Sequence, residues 1–162
     1  MLKTGLPAIA DPETQLFILG SLPGDKSLRD GRYYAHHSNQ FWKLVGAVAN
    51  EDLQSLNYEG RLARLRKRGI GLWDVINAAR REGSEDSALR DASHNPIGEL
   101  KDQFPKLQAI AFNGNAAATQ GRRLLVGING VKLYDLVSSS GLAGVALPEK
   151  IRRWRVIERH LK

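Results

Sequence analysis

Four short apolar runs punctuate the chain: residues 16–19 (LFIL), 70–76 (IGLWDVI), 107–112 (LQAIAF) and 131–137 (VKLYDLV). Each is ended by glycine, asparagine or serine, which predicts buried strands. Between them lie helical patterns over 41–49 (FWKLVGAVA), 58–68, 97–104 and the alanine-rich stretch to 125. A last helix is predicted over 149–161, where Ile151, Trp154, Ile157 and Leu161 form an apolar stripe bordered by Arg152, Arg153, Arg155 and Arg159. Strands alternating with helices imply an α/β fold, a three-layer sandwich whose short, mostly parallel four-stranded sheet carries helices on both faces. Residues 1–13 read as a loosely ordered lead-in, and 77–96 as a long polar loop of the kind that is functional or mobile. With no repeat, linker or low-complexity tract, residues 1–162 are expected to be a single domain.

In such sheets ligands bind beyond the carboxyl ends of the strands. Here those ends are GSLPG, DVINAARREGS, FNGN and SSSGLAG, so one site spread over four loops is expected. The densest stretch is 20–43, GSLPGDKSLRDGRYYAHHSNQFWK. Gly20 and Gly24 allow close approach of backbone to a ligand, and Pro23 limits the loop's freedom. Tyr33 and Tyr34 offer flat surfaces suited to stacking a nucleobase. Asn39 offers a donor and an acceptor on one amide, whereas Phe41 and Trp42 read as core anchors of the next helix.

Composition narrows the chemistry. There is no cysteine, which excludes disulfides, a thiolate nucleophile, thiolate zinc and cysteine-ligated iron–sulfur clusters. His36, His37, His94 and His160 lack metal-ligand spacing, so neither metal nor other cofactor is expected. The formal charge of +7 favours a polyanion partner. The first residues lack the apolar core of a signal peptide, and no run approaches a membrane span, so a soluble, cytoplasmic protein is expected; a monomer is expected as well, though no residue pattern speaks to it. Residues 20–27 approach the phosphate-binding pattern G-x-x-x-x-G-K-[ST]. Asp25 stands where the second glycine belongs, opposing phosphate, and LRDGRYY promises no helix to assist, so that reading is set aside.

The ordered set GSLPGDKSLRDGRYYAHHSNQFW, GLWDVINAARREGSEDS, AIAFNGNAA and LVSSSGLAG, followed by a tryptophan-bearing helix, resembles the uracil-DNA glycosylase superfamily. The likeness runs from Leu16 to Trp154. It is greatest to the hypoxanthine-DNA glycosylase branch, with the mismatch-specific uracil glycosylases next. The resemblance implies a monofunctional enzyme of base excision repair that flips a deaminated base, hypoxanthine or uracil, and hydrolyses its N-glycosidic bond. It implies DNA as partner and Asn39 as the catalytic amide. Gly20, Ser21, Leu22, Tyr34 and Asn113 would bind the base. Ser138, Ser139, Ser140, Gly141, Leu142 and His36 would meet DNA, with Leu142 as the wedge and the serines on phosphates.

Two departures matter. Leu22 stands where mismatch-specific relatives carry a water-positioning asparagine and the main uracil enzymes an aspartate. In the last motif, Val137 and Ser140-Gly141-Leu142 come closer to the mismatch-specific pattern. Asn39 has a second reading as the cap of the helix that begins at Phe41, the serines one as an ordinary turn, and a non-catalytic nucleic-acid-binding protein stands beside the enzyme. Ser84 and Asp86 read as loop structure.

Overall fold

A computed structural model describes residues 1–162. In chain order the first half holds β1 (Leu2–Thr4), β2 (Leu16–Gly20), α1 (Asp25–Asp30), α2 (Phe41–Ala49), α3 (Tyr58–Lys67) and β3 (Ile70–Asp74). The second half holds β4 (Ile76–Arg80), β5 (Arg90–His94), α4 (Leu100–Gln103), β6 (Ala109–Asn113), α5 (Asn115–Leu124), β7 (Lys132–Leu136) and α6 (Leu147–Trp154).

Four strands form a parallel sheet of order β3-β2-β6-β7. Strand β2 is buried along its whole length, and alternate residues serve opposite faces, as the pleat requires. Leu16 and Ile18 join Leu72, Ala111 and Leu136 under α2, α3 and α6. Phe17 and Leu19 join Ile110 and Phe112 under α4 and α5. The three-layer sandwich read from the sequence is therefore the fold.

The differences lie at its margins. Residues 77–96 are mostly a β-hairpin: β4 pairs antiparallel with β5, and β1 adds on the other side of β4. The first residues are thus tied down, with Leu2 opposite Arg80 and Ile9 bridged to Leu72. This second sheet buries only Leu22, Ile76 and Ala79 in a small cluster of its own. Residues 25–30 are helical where no helix was expected, closed by Gly31 at φ 65°. The final helix is shorter than its pattern, ending at Trp154 and continuing as a 3-10 turn to His160.

Candidate active site

The carboxyl ends of the parallel strands open into a cavity of about 560 Å³, the size of a pocket for a small organic ligand. Gly20, Ser21, Leu22, Tyr34, His36, Asn39, Asn113 and residues 138–142 all line it. Asp74 and the turn from Ser84 to Asp86 complete the wall.

One hydrogen-bonded chain organises the wall. Ser139 is buried; its hydroxyl donates to Asn39 Oδ1 at 2.8 Å and accepts from Asn113 Nδ2 at 2.8 Å. Its backbone N–H donates to Asn113 Oδ1 at 2.9 Å. Asn113 Nδ2 also donates to the Tyr34 hydroxyl at 3.3 Å. Tyr34 sits at φ 54°, a region unusual for a non-glycine residue, and its ring stacks on Phe41 at 3.8 Å between centroids. Burial and the nearby Asp74 hold the Tyr34 phenol well above its ordinary pKa, as a neutral O–H.

Asn39 closes a turn onto the start of α2, just before the N-cap residue Gln40, and retains a free donor. Its Oδ1 accepts from Phe41 N–H at 3.0 Å, at the start of α2, as well as from Ser139. The oxygen is therefore occupied, while Nδ2 makes no hydrogen bond within the protein. An amide so held can give a hydrogen bond into the cavity but has no spare strength as an acceptor.

The other expected residues divide. Ser139 faces inward, and its hydroxyl is spent on the two asparagines. Asn113 lines the cavity with both amide hydrogens already engaged, leaving one carbonyl lone pair for a ligand. Leu22 is buried against Ile76 and Ala79 as well as lining the cavity. Ser138 and Ser140 close turns by accepting from the N–H groups of Ser140 and Leu142. Leu142 projects from the rim with 81% of its surface exposed. His36 is exposed, stacked on His37 and bonded to Ser38.

The rim loop is anchored. A side chain on Gly141 would begin 2.5 Å from the Ser38 carbonyl oxygen, so only glycine fits that approach. Beneath it Lys150, buried, donates to Gln40 Oε1 at 2.7 Å and to the Ser140 carbonyl at 2.9 Å. Opposite, buried Arg81 donates to the carbonyls of Leu22, Pro23 and Gly83. Ser21 donates to Asp86 at 2.5 Å, and Ser84 accepts from Asp25 N–H. Ser84 and Asp86 thus fasten the hairpin to the first loop. Sequence reasoning missed Arg81, Lys150 and above all Asp74, which ends β3 as Gly20 ends β2.

Comparison with known proteins agrees with this geometry. The family model for the uracil DNA glycosylase superfamily matches residues 7–156. A protein of Methanosarcina barkeri named hypoxanthine DNA glycosylase is 42% identical over 154 residues, covering 95% of this chain and 96% of the relative. A protein of the same name from Methanosarcina acetivorans is 42% identical over 160 residues, covering 99% and 100%. The solution NMR structure of a uracil DNA glycosylase candidate from Methanosarcina acetivorans superposes with a TM-score of 0.88 at 42% identity, covering 99% of this chain and 98% of that one. With a parallel sheet whose strand ends meet at one polar cavity, and a family match over nearly its whole length, the chain belongs to the uracil-DNA glycosylase superfamily.

Proposed function

We propose that the protein is a monofunctional DNA glycosylase that removes deaminated bases, hypoxanthine first, by hydrolysing the N-glycosidic bond and leaving an abasic site. The relatives named hypoxanthine DNA glycosylase support the substrate. The observation that carries the chemistry is the free amide nitrogen of Asn39, held at the cavity by Ser139 and Phe41.

A base buried in a duplex is out of reach, so the nucleotide must leave the stack, at a cost of a few kcal/mol. Leu142, exposed on its anchored loop, fills the space left behind. The flipped base lies in the cavity against Tyr34, whose ring is backed by Phe41. As the bond to C1′ breaks, the sugar gains oxocarbenium character and the base gains negative charge. The Asn39 N–H donor meets that charge, a contact that strengthens in the transition state. Water adds to C1′. Ser138 and Ser140 flank the strand's phosphates, and His36 at the rim adds a donor.

Base release from labelled oligonucleotides carrying hypoxanthine, uracil or xanthine, single and double stranded, tests this. Strand breaks that appear only after alkali would mark hydrolysis without a lyase step. Release from hypoxanthine DNA that falls tenfold or more in folded Asn39→Ala is expected. DNA binding with no release from any substrate would leave a non-catalytic binding protein. The rim motif Ser140-Gly141-Leu142, with its mismatch-specific pattern, favours uracil as the second reading; faster release of uracil than of hypoxanthine would establish it.

A further inference from the structure

Asp74 stands at the end of β3, in register with Gly20 at the end of β2. It lines the cavity although only 4% of its surface is exposed. Its Oδ2 is a buried side-chain atom with no hydrogen-bond partner, the single such atom in the protein. Its Oδ1 lies over Gly20, so close that a Cβ there would approach it to 2.6 Å.

A carboxylate placed this way lacks the donors that normally accompany a buried charge. The groups close enough to act on its charge are Asp86 and Arg81 from the hairpin, and the phenols of Tyr33 and Tyr34 from the loop before α2. Arg81 has committed its guanidinium to three backbone carbonyls. Burial first, and then the like charge of Asp86, push the Asp74 carboxyl up to about 7. At neutral pH about half of the side chains therefore keep the acid form, with an O–H to give, and below it most do.

We propose that Asp74, in its neutral form, selects deaminated bases by donating the O–H of Oδ1, the oxygen over Gly20, to the base's keto oxygen, where the undeaminated parent presents an amino group. This rests on the glycosylase reading above. Deamination replaces an N–H donor by an oxygen acceptor, so a fixed donor in the pocket is the group that tells the two apart. An amino base would set donor against donor and leave both unpaired, the kind of mismatch that discriminates most strongly. The same contact helps the reaction. When the C1′–N bond breaks, its electron pair moves onto the base and the keto oxygen becomes a stronger acceptor. Water adds to C1′ and loses a proton, the base gains one, and Asp74 ends the cycle with its own proton in place.

The test is single-turnover release of hypoxanthine from pH 5.5 to 9 by wild type, Asp74→Asn and Asp74→Ala, with far-ultraviolet circular dichroism to establish folding. Wild-type release should fall about tenfold per pH unit above the titration of the carboxyl. Asp74→Asn, which keeps a neutral donor, should stay within about tenfold of wild type at pH 6 and lose that pH dependence. Asp74→Ala should lose roughly a hundredfold at every pH. A wild-type rate that is flat from pH 6 to 8, or an Asp74→Asn profile that falls as the wild type does, overturns the role of Asp74 while leaving the glycosylase reading intact. No release by wild type removes that reading and this one with it.

Discussion

Ser139 and Asn39, one hundred residues apart, are joined by a 2.8 Å hydrogen bond from hydroxyl to amide oxygen. Through it the loop after β7 fixes the rotation of the amide that faces the cavity. The Ser139 hydroxyl also accepts from Asn113, so its loss leaves two amides short of partners. Ser139→Ala should cost about 1–3 kcal/mol of stability, measurable by denaturant unfolding. It should also slow base release by about tenfold, because Asn39 can then rotate away from the productive geometry. Unchanged release at reduced stability would show that the bond serves folding alone.

Asn39 combines two functions that substitution can separate. Its oxygen accepts from the first N–H of α2, and its nitrogen, on a residue that lines the cavity, has no partner within the protein. Asn39→Asp keeps an oxygen for that N–H, so its stability should stay near wild type, whereas Asn39→Ala should lose about 1 kcal/mol. Both should lose release, since neither has the N–H donor. Thermal unfolding beside single-turnover rates checks this pair. An Asn39→Asp enzyme as fast as wild type would mean that an acceptor, rather than a donor, acts there.

The raised pKa of Asp74 also appears in stability. The folded state holds its proton up to about pH 7, whereas an unfolded aspartate releases it near 3.8. Between those values the native state binds more protons, so stability declines as pH rises and the penalty is complete above pH 7. The penalty is on the order of 4 kcal/mol at most, from a shift of about three pKa units. Asp74→Asn should therefore be more stable than wild type at pH 8, and the gap should close as pH falls toward 4. Urea unfolding at pH 5 and pH 8 measures the gap; an equal difference at both pH values would argue against a buried neutral carboxyl.

The centre of the four-stranded sheet was legible because β2 and β6 are buried on both faces and read as continuous apolar runs, while edge strand β7 alternates buried and exposed positions. The hairpin of β4 and β5 was not. Only Ile76 and Ala79 of β4 are buried, β5 (RDASH) has no buried residue, and register shifts interrupt their pairing. Without an apolar period, such strands look like loop. The site's location followed from where the strands end, but the duties of its residues depended on direction. Ser139 has the same chemistry as its serine neighbours and was expected at phosphate, yet its hydroxyl turns inward. Asp74 sits in IGLWDVI as an ordinary strand-end acid; only burial, with one oxygen left unpartnered, sets it apart.

On the mechanism proposed above, Leu142→Ala should separate opening of the duplex from chemistry on the base. The side chain is exposed, so Leu142→Ala removes no core contact and should leave stability within about 0.5 kcal/mol of wild type. Its backbone is held from two sides, by Gly141 packed on the Ser38 carbonyl and by Lys150 on the Ser140 carbonyl, so the loop should keep its shape. What is lost on that reading is the apolar group that would occupy the gap in the base stack. The flipped state of a duplex then forfeits a contact that a single strand never needed. Release from double-stranded hypoxanthine DNA should fall by about tenfold, roughly the 1–2 kcal/mol of one buried leucine contact, while release from the single strand changes little. An equal loss on both substrates would place Leu142 in the cavity's own contacts with the base, and no loss on either would remove it from the reaction.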